Sequence, residues 1–410
     1  MDITVITIGD ELLIGQTVDT NSAWIGNNLN QFGFAVQCIL SVRDVKTDIQ
    51  NAIDSSFGLT DVIIMTGGLG PTNDDITKNV LCDYFGTELV LHHESLELIK
   101  SFVEKRGYPL TETNRNQAMV PAACTPLLNR MGTAPGMWFS RGKKILISLP
   151  GVPYEMKDLM EKEVIPRLIS CYKLPPVEHR YIQTHGIPEA FLADKLRCFE
   201  NCLPSSLKLA FLPSQGIIKL RLSIYEASIQ QTQLLDKKYA ELCSIIPEYI
   251  IALNDESFQM NIGQLLLQRN KKLSLAESCT GGYISHLFTQ IPGCSAWYQG
   301  GVVAYSNQLK TEILGVDPVT LQQFGAVSVQ VAEQMASGAK QTMHADYSIS
   351  TTGIAGPDGG TPDKPVGTVC IAMATENGVK SHQYHFGNDR QNNIVRTANT
   401  ALAMLIREIK

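Results

Sequence analysis

Asp61-Val-Ile-Ile-Met-Thr-Gly-Gly-Leu-Gly-Pro-Thr-Asn-Asp-Asp-Ile-Thr77 is the stretch that decides the fold of the first part of this chain. Its first five residues form a nearly continuous apolar run, and three glycines follow within the next five positions. A run that is apolar on both faces is typical of a central strand in a parallel sheet that helices cover. Glycines directly after such a strand favour a tight turn, because glycine adopts backbone conformations that other residues avoid. The stretch therefore predicts a buried strand, a glycine turn and a helix.

Strand and helix signals alternate on both sides of this stretch. Strands are predicted at Ile3–Ile8, Val36–Val42 and Lys143–Leu149, and helices at 21–32 and 48–57. Alternation of this kind is typical of a doubly wound α/β layer. We expect this layer to fill residues 1–173 and to end before Leu174-Pro-Pro176, because two prolines interrupt the rhythm.

The rest of the chain is predicted to form two further parts. Residues 174–253 show a β-α-β-β-α order without an obvious catalytic cluster, which favours a small α+β linker or dimerisation module. Strand–helix alternation returns near Asn254-Asp255, and so residues 254–410 are predicted to form a second, C-terminal α/β domain.

Composition limits the classes of function. Hydrophobic residues make up 44% of the 410 residues, the formal net charge is −6 and the isoelectric point is near 5.8. These values argue against a disordered chain and against a protein that binds nucleic acid or anionic membranes, since such a surface needs a basic excess. No apolar run approaches the ~20 residues of a membrane-spanning helix, and no basic leader opens the chain. We expect a cytoplasmic enzyme that acts on small, phosphorylated molecules.

The glycine turn is a candidate phosphate site. Backbone N–H groups of a glycine-rich turn can approach an anion, and the positive end of the following helix favours negative charge. Ligands of open α/β sheets also bind beyond the carboxyl ends of the strands. Five residues are therefore predicted to bind a phosphate or nucleotide: Thr66, Gly67, Gly68, Gly70 and Thr72.

Asp74 and Asp75 in the same stretch have two interpretations. A carboxylate at the start of a helix caps free N–H groups, and position alone favours that role. A carboxylate beside phosphates can also hold a divalent cation. Asp10-Glu11 and Asp44 follow other predicted strands and can converge on the same edge, which favours a metal site that includes Asp44 and Asp75.

Ala276-Glu-Ser-Cys-Thr-Gly-Gly282 is the first candidate catalytic segment of the C-terminal part. Ser278 follows a predicted strand, where its hydroxyl can act as a nucleophile. The N–H groups of Thr280 and Gly281 can bind an oxyanion, supported by the dipole of the next helix. The alternative is that Ser278 or Thr280 only caps that helix.

Lys310 is the candidate partner of Ser278. It is predicted to lie in the first turn of a helix that begins after Ser306. A cation at the positive end of a helix is unfavourable, so we expect a lowered pKa and a neutral amine that can activate serine. The alternative is an exposed lysine at a small energetic cost.

Glycine-rich sequence follows the next buried strand. Thr352-Gly-Ile-Ala-Gly-Pro-Asp-Gly-Gly360 can wrap a phosphate or a ribose through Gly353 and Gly356, or it can be only a long turn. Arg390 opens the closing helix, where it can pair with a phosphate or remain solvated.

The N-terminal motifs resemble a known family. The 66–77 segment is similar to the signature of the molybdopterin-binding fold, and Leu149-Pro-Gly-Val-Pro-Tyr-Glu-Met156 to its late substrate loop. Further similarity to the CinA (competence/damage-inducible protein A) family lies in three segments: Gly9–Gly15, Asn114–Ala118 and Gly132–Gly136. In molybdopterin-binding relatives, the aspartates that match Asp44 and Asp75 are functional. The CinA resemblance implies a divalent-metal-dependent ADP-ribose pyrophosphatase.

The C-terminal motifs resemble the nicotinamide-nucleotide amidase domain of CinA proteins, and together the resemblance spans nearly the whole chain. It implies that Ser278 is the nucleophile, Lys310 the general base and Tyr305 an aid to proton transfer. The implied reaction needs no cofactor and converts NMN to nicotinic acid mononucleotide and ammonia through an acyl-enzyme. The resemblance and the frequency of symmetric pairs also favour a homodimer. The competing hypothesis makes the first domain a non-catalytic pterin- or nucleotide-binding module, or a competence-related interaction module.

Overall fold

The computed structural model of the protein describes residues 1–72, 75–175, 177–225 and 227–410. Its contacts divide the chain into two compact units. The first comprises Met1–Glu178 with Tyr225–Ile229, and the second comprises His179–Ile224 with Gln230–Lys410. Most of the predicted middle module therefore packs with the C-terminal domain. The three-part division remains a prediction, and Pro176 at its first boundary lies outside the described residues.

The first unit is built on a mixed six-stranded sheet in the order β2-β1-β3-β8-β7-β6, beside a small β4-β5 pair. Its strands are β1 (Asp2–Ile8), β2 (Ala35–Val42), β3 (Val62–Thr66), β4 (Leu89–Leu91), β5 (Met119–Pro121), β6 (Thr125–Leu127), β7 (Gly136–Arg141) and β8 (Lys144–Leu149). Its helices are α1 (Asp10–Leu13), α2 (Thr20–Asn30), α3 (Lys46–Leu59), α4 (Thr77–Phe85), α5 (His93–Glu104), α6 (Glu112–Gln117), α7 (Pro153–Leu159) and α8 (Ile165–Cys171), the last two joined by a π-helical turn.

The central strand β3 is apolar on both faces because each face has its own core. Val62 and Ile64 pack into a cluster on one side of the sheet, and Ile63 and Met65 into a cluster on the other. Strands β1, β2, β3 and β8 are parallel, as the alternating pattern predicts. The hairpin of β7 and β8 was not predicted, and it makes this edge of the sheet antiparallel.

The second unit contains two sheets. A four-stranded sheet has the order β10-β11-β9-β12, and a five-stranded sheet has the order β14-β13-β15-β16-β17. The strands are β9 (Glu178–His185), β10 (Leu207–Ser214), β11 (Ile217–Ile224), β12 (Ile250–Ala252), β13 (Leu273–Glu277), β14 (Tyr298–Val303), β15 (Tyr347–Gly353), β16 (Thr368–Thr375) and β17 (Gly378–His385). The helices are α9 (Glu189–Asn201), α10 (Ile229–Ile245), α11 (Phe258–Gln268), α12 (Tyr283–Thr289), α13 (Asn307–Glu312), α14 (Pro318–Phe324), α15 (Val329–Thr342) and α16 (Arg390–Ile409).

Hydrogen bonds and apolar contacts join these two sheets. Arg407 of α16 donates to the His185 carbonyl at 2.9 Å, and Asn399 of α16 donates to the Gln215 carbonyl at 3.1 Å. Ile217 of β11 packs against the core of the five-stranded sheet. The predicted mixed α/β fold is confirmed in both units. Over the described ranges, no helix combines the length and the apolar character that a membrane span requires.

Candidate active site

Ser278 lies at the carboxyl end of β13, the second strand of the five-stranded sheet. β13 is fully buried between β14 and β15, and it runs parallel to both. The Ser278 N–H donates to the Thr351 carbonyl at 2.9 Å, which holds the residue beside the end of β15. The chain then turns through Gly281 and Gly282, both with positive φ, into α12. The predicted strand–turn–helix setting of Ser278 is therefore present.

Lys310 meets Ser278 inside the protein. Its side chain is almost completely buried, and its Nζ lies 3.1 Å from Ser278 Oγ. The same nitrogen donates to the carbonyls of Ala304 at 2.8 Å and Tyr305 at 3.3 Å. Burial lowers the pKa of Lys310, since the charged amine has lost its water.

The expected cause of this shift was different. The sequence predicted that the positive end of a helix destabilises the charged amine. In the structure, Lys310 is the fourth residue of the six-residue helix α13, and so it lies in its last turn as well as near its start. So short a helix offers only a small dipole effect, and loss of water is the main cause of the lowered pKa.

Glu277, immediately before Ser278, clamps the turn. Its buried carboxylate accepts hydrogen bonds from the N–H groups of Gly282, Ile284 and Ser285 at 2.8–3.1 Å. It also accepts one from the Ser285 hydroxyl at 2.7 Å. Sequence reasoning missed this role, although an acid just before a predicted helix is a known capping signal.

This clamp changes the expected oxyanion site. Glu277 already occupies the start of α12, and the Gly281 N–H donates to the Ser278 carbonyl at 3.1 Å. The predicted oxyanion role of Gly281 therefore has no support from this geometry. The Thr280 hydroxyl pairs with Thr351 Oγ1 at 2.7 Å, while its N–H has no acceptor among the described residues.

A cavity of about 180 Å³ opens beside the Ser278–Lys310 pair. Tyr305 lies at its exposed rim, where its hydroxyl accepts from Arg390 at 3.5 Å rather than contacting Ser278. Arg390 also donates to the Gly356 carbonyl at 2.8 Å. The cavity wall includes the predicted Gly353, and also Asn307 and Thr352, whose contribution the sequence did not predict. The structure thus brings the predicted C-terminal residues to one edge of the sheet.

The N-terminal glycine turn lies at the carboxyl end of β3. The Thr66 hydroxyl donates to the Pro150 carbonyl at 2.8 Å and accepts from Asn21 at 3.2 Å, so it ties two strand ends together. Gly67 has φ +115°, and a Cβ there would lie 2.2 Å from the Ile8 carbonyl oxygen. Gly68 has φ +64° and lies against Thr77. These glycines are required by close packing whether or not they also bind phosphate.

Asp75 closes the turn on itself. Its carboxylate accepts from the N–H groups of Gly70 at 2.8 Å and Thr72 at 2.9 Å, and also from the Thr72 hydroxyl. Two of the amides that were predicted to bind phosphate are therefore engaged inside the turn. The predicted helix-capping role of Asp75 is wrong, because α4 begins at Thr77 without a side-chain cap and Asp75 binds amides that precede it in the turn. Asp74 lies outside the described residues.

Several carboxylates converge near this turn, as the sequence predicted. Partial burial raises the pKa of Asp44, and the charges of Asp10, Glu11 and Asp75 raise it further. Within the described ranges, however, no three histidine, cysteine, aspartate or glutamate side chains come together as metal ligands. The described residues do not form a ready-made metal site, and the metal remains a prediction.

Two family models match this chain, one in its N-terminal part and one in its C-terminal part. Residues 255–409 match the family model described as "CinA C-terminal domain", and residues 4–170 match "Probable molybdopterin binding domain". A CinA-like protein of Flavobacterium psychrophilum is 41% identical over 415 residues, covering 100% of this chain and 99% of the relative. The chain belongs to the CinA family. A CinA-like protein of Cytophaga hutchinsonii is also 41% identical, over 99% of this chain and 97% of the relative.

Solved structures match part of this CinA-family chain. The competence/damage-inducible protein CihA from Agrobacterium tumefaciens is 40% identical, and the match covers 37% of this chain and 96% of that one, with a TM-score of 0.35. The protein CinA from Thermoplasma acidophilum is 39% identical over 40% of this chain and 97% of that one, with a TM-score of 0.37.

Proposed function

We propose that the C-terminal site is a serine amidase that hydrolyses the carboxamide of NMN. The observation that carries this proposal is the 3.1 Å approach of the buried Lys310 amine to Ser278 Oγ. A serine activated by a lysine is a known variant of nucleophilic hydrolysis. The CinA resemblance and family membership support the choice of NMN as substrate.

The contacts of Lys310 suit a neutral amine. Such an amine has two N–H donors and one lone pair. The Ala304 and Tyr305 carbonyls take the two donors, so the lone pair is left for the Ser278 hydroxyl proton. Because burial lowers the pKa of Lys310, the neutral form is accessible at a lower pH than for an exposed lysine.

The reaction proceeds in two halves. Lys310 takes the Ser278 proton as Oγ attacks the carboxamide carbon, and it then gives this proton to the leaving nitrogen, which departs as ammonia. The result is an ester between Ser278 and the nicotinic acid moiety. Water attacks this ester with Lys310 again as the base, which releases nicotinic acid mononucleotide and restores the serine.

The surroundings suit this substrate. Ligands of drug size occupy pockets of about 300–1,000 Å³, so the cavity of about 180 Å³ encloses only part of a nucleotide, such as its nicotinamide ring. Arg390, which donates to the Gly356 carbonyl at the rim, pairs with the phosphate in this proposal. The Thr280 N–H, which has no acceptor among the described residues, is the oxyanion donor of this proposal.

Ammonia release from NMN tests this proposal in the full chain. We expect Ser278→Ala to lose activity, while Ser337→Ala on α15, outside the cavity, retains it. A Ser278→Ala variant with full activity, or a wild-type chain that releases no ammonia from NMN, would reject the serine amidase.

For the first unit, we propose that ADP-ribose binds at the glycine turn and that its pyrophosphate is cleaved. The location of the turn at the carboxyl edge of a parallel sheet and the family resemblance support this proposal. The convergence of Asp10, Glu11 and Asp44 beside a phosphate site favours a cation or a proton that offsets their repulsion. The described residues do not form a ready-made site for a metal ion.

Product analysis distinguishes this activity from binding alone. We expect AMP from ADP-ribose, and loss of AMP after chelation with EDTA. Calorimetry that shows ADP-ribose binding without product would favour the alternative binding module. Asp75→Ala is expected to loosen the turn and weaken ADP-ribose binding, with Asp2→Ala at the exposed start of β1 as a matched control.

A further inference from the structure

The first unit contains a cavity of about 440 Å³, which is larger than the cavity beside Ser278 in the second unit. It is lined by the end of α5 and the turn after it, the start of α6, Gly132-Thr133, and the first residues of α7. Its volume falls in the range of about 300–1,000 Å³ that small-molecule sites occupy. Its wall includes Tyr154 and Glu155, which belong to the segment that resembles a late substrate loop.

A buried carboxylate stands at the wall of this cavity. Glu155 is only 7% exposed, and its Oε2 accepts from Asn129 Nδ2 at 2.6 Å. Asn129 is itself held by the Ala134 carbonyl and by the N–H groups of Met131 and Gly132, so its own hydrogen bonds are all satisfied. The fold thus keeps one carboxylate oriented by a rigid partner at the surface of a cavity.

The Glu155 carboxylate packs closely against the backbone of Gly132. A Cβ at position 132 would lie 2.1 Å from the carboxyl carbon of Glu155. Burial raises the pKa of Glu155, whereas Asn129, Tyr154 and Arg106 lower it. Burying a carboxylate is costly, and burial outweighs the hydrogen bonds from Asn129 and Tyr154 and the charge of Arg106. The group is therefore suited to accept a further hydrogen bond from a ligand.

Flat groups and one amide complete the walls. The Arg106 guanidinium lies over the Phe102 ring at 3.8 Å, and Tyr154 is 52% exposed at the opening. Such surfaces suit a planar heterocycle. The Asn114 Oδ1 is engaged by the Thr111 N–H and hydroxyl, which leaves its NH₂ as a donor for a ring nitrogen.

The cavity is connected to the glycine turn through one short segment. The Gly151 carbonyl accepts from Asn21, and a Cβ on Gly151 would lie 3.4 Å from the Gly67 Cα. Glu155 is four residues further along, within about 14 Å even for a fully extended chain. A nucleotide with its phosphates at the turn can therefore place its base near this cavity.

We propose that this cavity binds the amino-substituted heterocycle of the nucleotide held at the glycine turn, with Glu155 accepting a hydrogen bond from the exocyclic amino group. The proposal rests on the proposed ADP-ribose site and adds its base specificity. Adenine and a 2-aminopterin share the required chemistry, a flat ring with an amino donor. The experiment below distinguishes an adenine nucleotide from a 2-aminopterin.

The test compares ADP-ribose with inosine diphosphate ribose, in which a carbonyl replaces the amino group. Calorimetry on the full-length wild-type chain is expected to show at least about tenfold tighter binding of ADP-ribose, since a hydrogen bond to a charged group is among the stronger ones. Glu155→Gln is expected to remove or reverse this preference, because an amide can donate to the inosine carbonyl. Glu161→Gln, at an exposed position of the same helical segment, should keep it.

The outcomes distinguish failure of this heterocycle site from failure of the proposed ADP-ribose site. Equal affinity of the wild-type chain for the two nucleotides overturns the base subsite while the ADP-ribose site stands, and this comparison does not depend on any variant folding. Binding of neither nucleotide but Glu155-dependent binding of a 2-aminopterin supports the heterocycle site and overturns ADP-ribose as ligand. Binding of none of the three overturns both proposals.

Discussion

The proposed chemistry depends on Lys310 and its side-chain amine. A lysine of ordinary pKa near 10.4 is almost fully charged at neutral pH and has no lone pair for a serine proton. Burial at the end of β13 disfavours that charge, and the two carbonyls beside Nζ hold the amine toward Ser278. In the proposed mechanism, this loss of water makes the Lys310 amine available as a base.

A pH dependence follows from this burial. We expect kcat/KM for NMN to rise with pH, with a midpoint below 10.4, because only the neutral Lys310 accepts a proton. The folded chain binds this proton less tightly than the unfolded chain. Its unfolding free energy, relative to Lys310→Met, should therefore also rise with pH between the two pKa values. Rates and unfolding measured across pH check both expectations.

Lys310→Arg provides the matched variant. Arginine keeps its proton throughout, so we expect a loss of about 10²- to 10⁴-fold in kcat at every pH. Lys237→Arg, at an exposed position of α10, should keep wild-type rates. Comparable activity of Lys310→Arg and the wild type would show that Lys310 is not the base.

Glu277 is expected to act as a positioning residue. Glu277→Gln weakens a carboxylate that accepts four hydrogen bonds, and it places an amide NH₂ against buried donors. We expect a loss of about 1–3 kcal/mol in unfolding free energy and a lower kcat with nearly unchanged KM for NMN. Denaturant unfolding and steady-state kinetics measure these effects. Glu376→Gln at an exposed turn is the control, and an unaltered kcat would remove Glu277 from this role.

At the scale of elements, both candidate sites use the same construction. A buried parallel strand ends, the chain turns through glycines with positive φ, and a helix begins, at β3 into α4 and at β13 into α12. Each turn is fixed by a carboxylate of its own segment, Asp75 in the first and Glu277 in the second. The turn amides are therefore partly occupied before any ligand arrives.

Gly67→Ala tests how tightly the first turn is packed. The new Cβ would meet the Ile8 carbonyl oxygen at 2.2 Å, and φ +115° is unfavourable for alanine. We expect the first unit to lose at least about 2 kcal/mol of unfolding free energy, while NMN deamidation persists. Gly58→Ala is the control, since a Cβ there has open space on helix α3 and should stabilise by about 0.5–1 kcal/mol. Equal stability of the two variants would contradict the packing argument.

At the scale of the whole molecule, the chain consists of two compact units with separate cores. One contains the glycine turn and the cavity beside Glu155, and the other contains the serine–lysine pair. Chains built in this way need not unfold in a single transition. Each proposed ligand should therefore stabilise its own unit.

Ligand-dependent melting tests this division. We expect NMN to raise the transition of the second unit and ADP-ribose that of the first, each by about 2.7 kcal/mol at a hundredfold excess over Kd. Scanning calorimetry with Ser278→Ala prevents turnover of NMN. Stabilisation of both units by a single ligand would show that the units respond together.

The α/β class, the positions of most strands, and the segments that carry both sites were predictable from the sequence. Apolar runs and glycine turns are local signals, because they report which residues must be buried and which backbone angles are needed. Ser278, Lys310 and the stretch around Thr66 could be selected on this basis. The 318–324 helix and the β7–β8 hairpin were not found, since their patterns are short and weak.

Only the tertiary structure decided how these residues meet. It placed Lys310 against Ser278 across 32 positions of sequence and showed that loss of water, rather than the helix start, lowers its pKa. It also assigned Asp75 and Glu277 to their turns and exposed the carboxylate of Glu155 to a cavity. Burial, hydrogen-bond partners and cavities are properties of chain segments brought together by packing, and a local pattern of residue types does not contain them.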